Sequence, residues 1–364
     1  MKIEEIFTFE NLYKAYKDCR KSKQHKGEVI RFEVDLSRNI SNLQKELLSK
    51  KYKLSKYKKF SIYEPKERVI EALPFKDRVV IKCFCEETLR DKIENKLIYD
   101  NAACRKNKGT DFAIKRLEKF LRHEFLIQKN NDFYFFKCDI RKYFQSINHE
   151  ILLGLLEKIN FTTDEMWLIE KLIKEQPNNA EIGLPLGNQS SQWFALFYLN
   201  GIDRLIKEKL RIKGYIRYMD DMILIHNDKK YLQKCLFEIR KACKEKLDLE
   251  LNHKTQIGKV KNGIDFLGYR HILNSRGGII RKLRVSSKQR MKRHLKIMKK
   301  LRMKNIIDDE YIYVRKNAFY NHLKNTSESY KLKKEVYPFW KKLKKFYEFV
   351  EKFLLFWFNN SGLF

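Results

Sequence analysis

The chain has 364 residues, 43% of them hydrophobic, which is enough for two or three small domains with their own cores. Its 79 Lys and Arg residues against 46 Asp and Glu residues give a formal net charge of +33, which predicts a polyanionic partner. Nucleic acid is the first candidate and an anionic membrane surface the second. No apolar stretch is long enough to span a bilayer, and the N-terminus lacks an apolar signal segment. Seven cysteines without paired zinc spacing indicate reduced thiols in the cytoplasm.

The first third of the chain alternates helical and strand patterns. Residues 1–50 are predicted to be helical because apolar residues recur near helical spacing. Residues 56–63 and Val69–Leu73 predict two strands on either side of a polar turn. A helix follows this pair, and a basic loop at 101–110 precedes a further helix that starts at Asp111.

Two runs of strand-forming residues end in carboxylates. The apolar run at 133–138 ends at Asp139, and Tyr218–Asp221 lies between two further runs, which predicts a hairpin with Asp220 and Asp221 at its turn. An ordinary polar turn would explain the adjacent pair by itself. Three carboxylates on neighbouring strands instead predict an oxygen cage for two Mg²⁺ ions, as used in phosphoryl or nucleotidyl transfer.

The order of the elements predicts an α+β fold. Strands and helices alternate in a split βαββαβ order, which is typical of a ferredoxin-like sheet with helices on one face. A strand is also predicted at Leu249–Leu251. In this arrangement Asp139 and the Asp220 turn would lie on adjacent central strands.

The C-terminal third is strongly basic. Residues 281–304 contain Lys and Arg without any acidic residue, and Leu295, Met298 and Leu301 mark the apolar stripe of a helix. A solvated helix face is one interpretation, but charge of a single sign at this density favours a phosphate-backbone partner. Residues 336–364 join lysines to an aromatic end, which fits an interfacial anchor or, as we prefer, a core or partner helix.

Five motifs in a fixed order resemble those of reverse transcriptases. The motifs are Asp139 with Tyr143–Phe144, Gly187–Ser191, Tyr218–Asp221, Leu251–Thr255 and Phe266–Tyr269. The chain looks most like prokaryotic enzymes related to those of group II introns. The resemblance implies a right-hand polymerase with a ferredoxin-like palm. Its predicted domains are a helical N-terminal extension at 1–50, fingers and palm at 51–270, a basic helical thumb at 271–335 and an aromatic and basic tail at 336–364.

The resemblance implies roles for the residues around the carboxylates. Asp139, Asp220 and the backbone carbonyl of Ile140 would bind two Mg²⁺ ions, with Mn²⁺ as an alternative, and Asp221 would be a weaker or outer ligand. Lys254 would act as the general acid toward the leaving pyrophosphate.

Further implied contacts concern the nucleotide and the nucleic acid. Phe144 matches the steric gate against a 2′-hydroxyl, with an ordinary core Phe as the alternative. Lys66 and Arg68 match the pair that grips the triphosphate, with a solvated turn as the alternative. The remaining assignments are nucleotide contacts at Leu186, Gly187 and Gln192, and primer or template contacts at Arg105, Lys108, Phe266, Leu267, Gly268, Tyr269, Arg281, Arg284, Arg290 and Arg293.

The loop around Gly187 departs from the family pattern. Most relatives carry Gln where Leu186 stands and Pro where Gln192 stands. Because leucine cannot hydrogen-bond the incoming nucleotide, checking of the base or sugar should be looser. The variant resembles reverse transcriptases of diversity-generating retroelements, which misincorporate opposite adenine, and it also occurs in other bacterial enzymes, some of them antiphage.

The expected function is RNA-directed DNA polymerisation, with a structured cognate RNA as template, dNTPs as substrates and cDNA as product. A diversity-generating enzyme would work with a small basic accessory protein, and a defence-associated enzyme with a non-coding RNA. A catalytically idle RNA-binding or maturase-like protein is the more distant alternative, which the intact Asp139, Asp220, Asp221 and Lys254 disfavour. We expect no endonuclease or RNase H segment.

Overall fold

The computed structural model describes residues 1–63, 67–175, 180–323, 326–328 and 332. The chain divides into two compact units. Unit 1 comprises residues 1–120 and 134–257, and unit 2 comprises residues 121–133 together with the chain from Gly258 onward. Lys66 and the 336–364 tail lie outside the described residues. The predicted domain boundaries stay predictions.

Unit 1 begins with four helices, which confirms the helical prediction for residues 1–50. Ile40, Leu43 and Leu47 recur at helical spacing on the fourth helix and are all buried in the main core of the unit. Thr8 caps the second helix, because its hydroxyl accepts the N–H of Asn11 at 3.1 Å. The helices are α1 (Ile3–Ile6), α2 (Phe9–Arg20), α3 (Gly27–Glu33) and α4 (Leu36–Leu48).

A two-stranded antiparallel ribbon follows, as predicted. Strand β1 (Lys58–Ile62) pairs with β2 (Arg68–Ala72), and Ile62 lies opposite Arg68 next to the turn. After the ribbon, a five-residue π-helical turn at Cys85–Leu89 joins two helices. The helices of this part are α5 (Phe75–Phe84), α6 (Arg90–Glu94) and α7 (Thr110–Gln128).

The central sheet has the strand order β4-β5-β3-β6. This is the order of a split βαββαβ sheet, so the predicted α+β fold and ferredoxin-like topology are confirmed. The strands are β3 (Tyr134–Cys138), β4 (Gly214–Tyr218), β5 (Asp221–His226) and β6 (Gln256–Lys259), of which Gln256 and Ile257 belong to unit 1. The helices between them are α8 (His149–Leu156), α9 (Thr163–Lys174), α10 (Gln189–Tyr198), α11 (Asn200–Arg204) and α12 (Lys229–Leu247).

The strand predicted at Leu249–Leu251 is wrong. This segment makes only one isolated bridge, between Leu251 and Ile140, and the edge strand of the sheet begins later, at Gln256. The reason lies in Asn252, whose side-chain oxygen accepts the N–H of Lys254 at 3.1 Å. An Asx turn of this kind bends the backbone and ends extended pairing.

Unit 2 contains a three-stranded antiparallel meander and two helices. They are β7 (Ile264–Phe266), β8 (Tyr269–Leu273), β9 (Ile279–Leu283), α13 (Val285–Met303) and α14 (Asp309–Leu323). The basic segment is therefore helical only from Val285, where Met291 and Met298 form the buried side of α13. The segment 121–133 also belongs here, and the Phe125 ring lies so close to Gly277 that a Cβ there would be 2.7 Å from it.

All seven cysteines are free thiols, as predicted, and five of them are buried. Within the described ranges, no helix combines the length and the apolar character needed to cross a bilayer.

Candidate active site

The hairpin between β4 and β5 has a two-residue turn. Tyr218 pairs with Asp221, so Met219 and Asp220 form the turn itself. Met219 adopts a left-handed φ of 55°, as tight two-residue turns require. The flanking strands are buried at their centres, which fixes the register of the hairpin. The predicted hairpin is confirmed, with Asp220 in its turn, whereas Asp221 is the first residue of β5 and does not belong to the turn.

Strand β3 brings Asp139 level with this turn. Cys138 pairs with Met222 on β5, and Asp139 is the next residue of the chain. The carboxyl groups of Asp139 and Asp220 hydrogen-bond to each other. Burial, then this hydrogen bond and the charge of Asp139, raise the pKa of Asp220 to about 7. Two carboxyl groups crowded in this way form a hard-oxygen donor set that a divalent cation fits.

The third carboxylate faces a lysine. Asp221 lies 3.1 and 3.2 Å from the Nζ of Lys137, through its Oδ1 and Oδ2 respectively. Within the described parts of the chain, no group of three or more His, Cys, Asp or Glu side chains is arranged to hold a metal ion. Asp139 and Asp220 are therefore the two carboxylates that remain available to a metal ion. Two are sufficient, because Mg²⁺ is commonly held by one or two carboxylates together with substrate phosphates. The role of Asp221 as a metal ligand stays a prediction.

Asn252 fixes Asp139 from the side opposite the hairpin. Its backbone N–H donates to the carbonyl of Asp139 at 2.7 Å, and its side-chain amide donates to the Asp139 carboxylate at 3.3 Å. The same side chain accepts the backbone N–H of Lys254 at 3.1 Å. The backbone of the predicted general acid is thus linked through Asn252 to the Asp139 carboxylate. Sequence reasoning missed Asn252 and Lys137 as site residues. Asn252 could have been found from its place within the Leu251–Thr255 motif. Lys137 could have been found from its spacing, because a residue two positions before Asp139 lies on the same face of the strand.

A buried ion pair contacts the turn between β4 and β5. Arg217 and Asp203 are both fully buried and are joined by two hydrogen bonds of 2.7 and 2.6 Å. Arg217 also donates to the carbonyls of Met219 and Leu196, each at 2.9 Å, and the hydroxyl of Tyr215 donates to Asp203 at 2.6 Å. Burial, the largest single effect, lowers the pKa of Arg217, but the charge of Asp203 and its hydrogen bonds, together with smaller contributions from Tyr215 and Tyr143, raise the net pKa above its ordinary value.

Phe144 stands on a short 3₁₀ helix just after Asp139. This helix, Tyr143–Ser146, places the half-buried Phe144 ring 5.7 Å from the ring of Tyr143. The N–H of Leu184 donates to the Phe144 carbonyl at 2.7 Å, so the loop that leads to Leu186 is fastened to the same helix. Phe144 and the loop from Leu184 to Gly187 are therefore held next to each other in unit 1, and together they are called the wall below.

Gly187 brings this loop against the β1–β2 ribbon. A Cβ at Gly187 would lie 2.9 Å from the carbonyl oxygen of Glu71 on β2, so only glycine fits without a shift. Further along, the Gln192 side chain accepts a hydrogen bond from the thiol of Cys104 at 3.3 Å. The predicted nucleotide loop thus packs on the ribbon whose strand β2 starts at the exposed Arg68.

Comparison with known proteins agrees with this geometry. Residues 41–271, more than half of the chain, match the family described as reverse transcriptase (RNA-dependent DNA polymerase). The chain belongs to the reverse transcriptase family. No curated protein matches its sequence.

Solved structures similar to this reverse transcriptase include yeast telomerases. A Candida albicans telomerase solved with a fragment of telomeric RNA is 14% identical, with a TM-score of 0.48, over 64% of this chain and 47% of the telomerase chain. A Candida tropicalis telomerase, also with such a fragment, is 12% identical, with a TM-score of 0.49, over 86% and 58%. This chain spans about half the length of the telomerase chains it matches.

The basic loop of this reverse transcriptase is tied into its own fold. Arg105 pairs with Glu94 at 2.9 Å and donates to two backbone carbonyls at 2.7 and 3.0 Å. Lys108 donates to the carbonyl of Tyr99 at 2.5 Å, and burial lowers the pKa of Lys108 to about 8. Both cations have structural partners, and their contacts with a template stay predictions.

Phe266–Tyr269, predicted to contact the primer or template, and the basic thumb residues lie in unit 2. Phe266 pairs with Tyr269 across a tight turn formed by Leu267 and Gly268, both at positive φ. Of the four arginines of unit 2 that were assigned to nucleic acid, Arg281 is on β9, Arg284 immediately precedes α13, and Arg290 and Arg293 are on α13.

Proposed function

We propose that this protein is an RNA-directed DNA polymerase that extends a primer with dNTPs on an RNA template. The observation that carries the proposal is the Asp139–Asp220 carboxyl pair at the ends of two adjacent central strands. The same unit holds Phe144 and the Gly187 loop, the two elements expected around an incoming nucleotide. Membership of the reverse transcriptase family supports this function.

The carboxyl pair would hold divalent cations, Mg²⁺ or Mn²⁺, together with the backbone carbonyl of Ile140. Divalent ions supply a lower pKa for the attacking primer hydroxyl and neutralise charge on the phosphates. The side-chain amide of Asn252 holds Asp139 in place, and the two-residue turn holds Asp220. Asp221 forms an ion pair with Lys137. Lys254, which follows Asn252 by two residues, would protonate the leaving pyrophosphate.

Selection of the nucleotide falls to the wall formed by Phe144 and the Gly187 loop. The Phe144 ring would crowd a 2′-hydroxyl and so favour deoxynucleotides. Arg68, the exposed first residue of β2, would contact the triphosphate, and Lys66, two residues earlier in the sequence, would assist it.

The nucleic-acid partners are an RNA template and its cDNA. The net charge of +33 supports a polyanion as the partner, and the exposed Arg293 and the half-buried Arg290 on α13 are suited to phosphate contacts. Such binding would weaken steeply with salt, because each neutralised phosphate releases a condensed counterion.

For the biological role, we propose a low-fidelity enzyme of the diversity-generating type, assisted by a small basic accessory protein and working in the cytoplasm. The support is Leu186, an apolar side chain where a hydrogen-bonding glutamine is usual. An antiphage enzyme with a non-coding RNA is the alternative. Sequencing the RNA and DNA that copurify with the chain separates the two, because a template-repeat transcript supports the first and an unrelated non-coding RNA the second.

The activity itself is tested by Asp220→Asn plus Asp221→Asn in the full chain. We expect dNTP incorporation on a primed RNA template to fall by about a thousandfold or more, with RNA affinity within about twofold of the parent. Asp35→Asn plus Asp91→Asn is the matched control, since it removes two exposed carboxylates and changes the net charge equally. Full activity in the double variant would refute the assignment. A parent that binds RNA but incorporates no dNTP would instead favour an idle RNA-binding protein.

A further inference from the structure

The buried pair of Arg217 and Asp203 lies outside the residues assigned to substrate or metal, yet it contacts the catalytic turn. We propose that Arg217 is a positioning residue that sets the place of Asp220 relative to Asp139 and thereby the affinity of the site for divalent cations. This inference rests on the proposed polymerase function, and its test below separates the two.

The first argument is the bond between Arg217 and Met219. The Nη1 of Arg217 donates to the carbonyl oxygen of Met219 at 2.9 Å. That carbonyl belongs to the peptide group that joins Met219 to Asp220, and a peptide group is planar. Holding its oxygen therefore fixes the direction in which the chain enters Asp220. Since the turn has only two residues, few other torsions remain to absorb a change.

The second argument is the backbone conformation of the turn. Met219 has a φ of 55°, a region that non-glycine residues rarely adopt and that persists only where surrounding contacts hold it. Without the Arg217 bond, the Met219 peptide would be free to relax toward a more favourable conformation. Such a relaxation would move the Asp220 carboxyl away from Asp139.

The third argument is that Arg217 is itself held rigidly. Its planar guanidinium makes two bonds to Asp203 on α11 and one to the carbonyl of Leu196 on α10. Its backbone N–H donates to the carbonyl of Asp100 at 3.0 Å, and its carbonyl accepts the N–H of Ala102 at 2.9 Å. Arg217 thus connects the β4–β5 turn to α10, to α11 and to the loop at Asp100 and Ala102.

A purely structural ion pair would not need the bond to Met219. Buried pairs of this kind are costly to break, but they stabilise a fold no better than well-packed apolar residues. The guanidinium here uses its Nη1 on the catalytic turn, in addition to the bonds that neutralise Asp203. Lysine could keep the charge but, as a single point donor, could not reproduce the fork.

The test is Arg217→Lys in the full chain, measured in two ways. Mn²⁺ binding to the nucleotide-free protein, followed by electron paramagnetic resonance, is expected to weaken about tenfold or more. In primer extension, kcat is expected to fall about tenfold and the half-saturating Mg²⁺ concentration to rise about fivefold, with the KM for dNTP within about twofold. Arg116→Lys is the matched control, because Arg116 forms another arginine–aspartate pair of unit 1, with Asp100 at 2.5 Å, and is not bonded to the turn.

The outcomes are distinct. Mn²⁺ affinity equal to that of the parent, or an equal loss in Arg116→Lys, would overturn the positioning role even if the melting temperature falls. A parent without dNTP incorporation refutes the polymerase proposal, while Mn²⁺ binding still tests Arg217.

A second variant is available if Arg217→Lys does not fold. Tyr215→Phe removes one 2.6 Å hydrogen bond to Asp203 and leaves the ring in place. A two- to threefold weaker Mn²⁺ affinity, about what a loosened outer contact causes, supports the proposal, and an unchanged affinity overturns it.

Discussion

Asn252 holds Asp139 at two points, by its backbone N–H on the Asp139 carbonyl at 2.7 Å and by its side-chain amide on the carboxylate at 3.3 Å. The first contact fixes the backbone and the second fixes the rotamer. The position of this carboxylate therefore depends on a residue 113 positions later in the chain.

Asn252→Ala should weaken catalysis without unfolding the protein. The backbone contact would survive, but the carboxylate would lose its donor, so we expect kcat for dNTP incorporation to fall about tenfold. Asn252→Asp should be worse, because it places a like charge beside Asp139. Steady-state primer extension at saturating Mg²⁺ ranks the two. Equal activity of parent and Asn252→Asp would contradict the contact.

Asp220→Asn should stabilise the metal-free protein at pH 8. Burial, then the hydrogen bond and the charge of Asp139, raise the pKa of Asp220 to about 7. In the unfolded chain an Asp titrates near 4. Between these values the folded protein keeps a proton that the unfolded chain has released, so stability falls as the pH rises through this window. Removing the charge should restore about 1–2 kcal/mol at pH 8, after allowance for solvent at this half-buried site.

Calorimetry in EDTA at pH 4.5 and pH 8 measures the gain in stability of Asp220→Asn over the parent. We expect the gain at pH 8 and almost none at pH 4.5. Asp221→Asn is the contrast, because it breaks the ion pair with Lys137 and should give no gain. Added Mg²⁺ should raise the melting temperature of the parent and leave that of Asp220→Asn almost unchanged. A parent that is insensitive to Mg²⁺ would count against the metal site.

Phe144→Ala should relax the choice between deoxy- and ribonucleotides. Loss of the ring opens space for a 2′-hydroxyl, so we expect the preference for dNTPs in kcat/KM to drop about tenfold or more. Phe237→Ala is the control, since Phe237 is 64% exposed on α12. If both variants discriminate as the parent does, Phe144 is an ordinary packing residue.

Leu186→Gln should lower misincorporation opposite adenine. Glutamine could hydrogen-bond the nascent pair or the sugar, and a correctly placed bond discriminates by about 1–3 kcal/mol. Deep sequencing of cDNA made on one RNA template gives the error at each template base. Leu186→Met, which keeps an apolar side chain, should retain the parental spectrum. A Leu186→Gln spectrum identical to that of the parent would remove the fidelity argument.

Gly187→Ala should raise the KM for dNTP several-fold. The added Cβ would meet the Glu71 carbonyl oxygen at 2.9 Å, and because that atom belongs to the backbone the loop or the ribbon must shift. Gly154→Ala is the matched control, as nothing lies within 4 Å of a Cβ there and the residue is on α8. The control should keep the parental KM. A parental KM in Gly187→Ala would mean that the loop does not contact the nucleotide.

Much of the site geometry could be predicted from the sequence because it is local. The two-residue turn at Asp220 follows from strand formers on either side of adjacent acidic residues. The approach of Asp139 to that turn is not local, and it was predicted from the split βαββαβ order of the elements, which places the two strands side by side. The structure confirms it through the pairing of Cys138 with Met222.

Other features could not be predicted because they depend on distant partners. Arg217 is a charged residue, which in a sequence indicates an exposed position, and only its fork of bonds to Asp203 on α11 makes its full burial tolerable. The strand wrongly predicted at Leu249–Leu251 has strand-like composition. Its pairing is limited to the single bridge between Leu251 and Ile140, because the Asx turn of Asn252 with Lys254 bends the backbone directly afterwards.

The segment 121–133 has a consequence for synthesis on the ribosome. It is made before every strand of the central sheet, yet it belongs to unit 2, where the Phe125 ring packs on Gly277 and the Asn131 side chain donates to the Leu273 carbonyl at 3.0 Å. Unit 1 can close once residue 257 has emerged, whereas this segment must wait for residues beyond 270. During that interval Leu121 and Phe133, which are fully buried in the folded chain, still lack the rest of their unit. The nascent chain is therefore most prone to aggregation, or to capture by a chaperone, after unit 1 has formed and before unit 2 has been made.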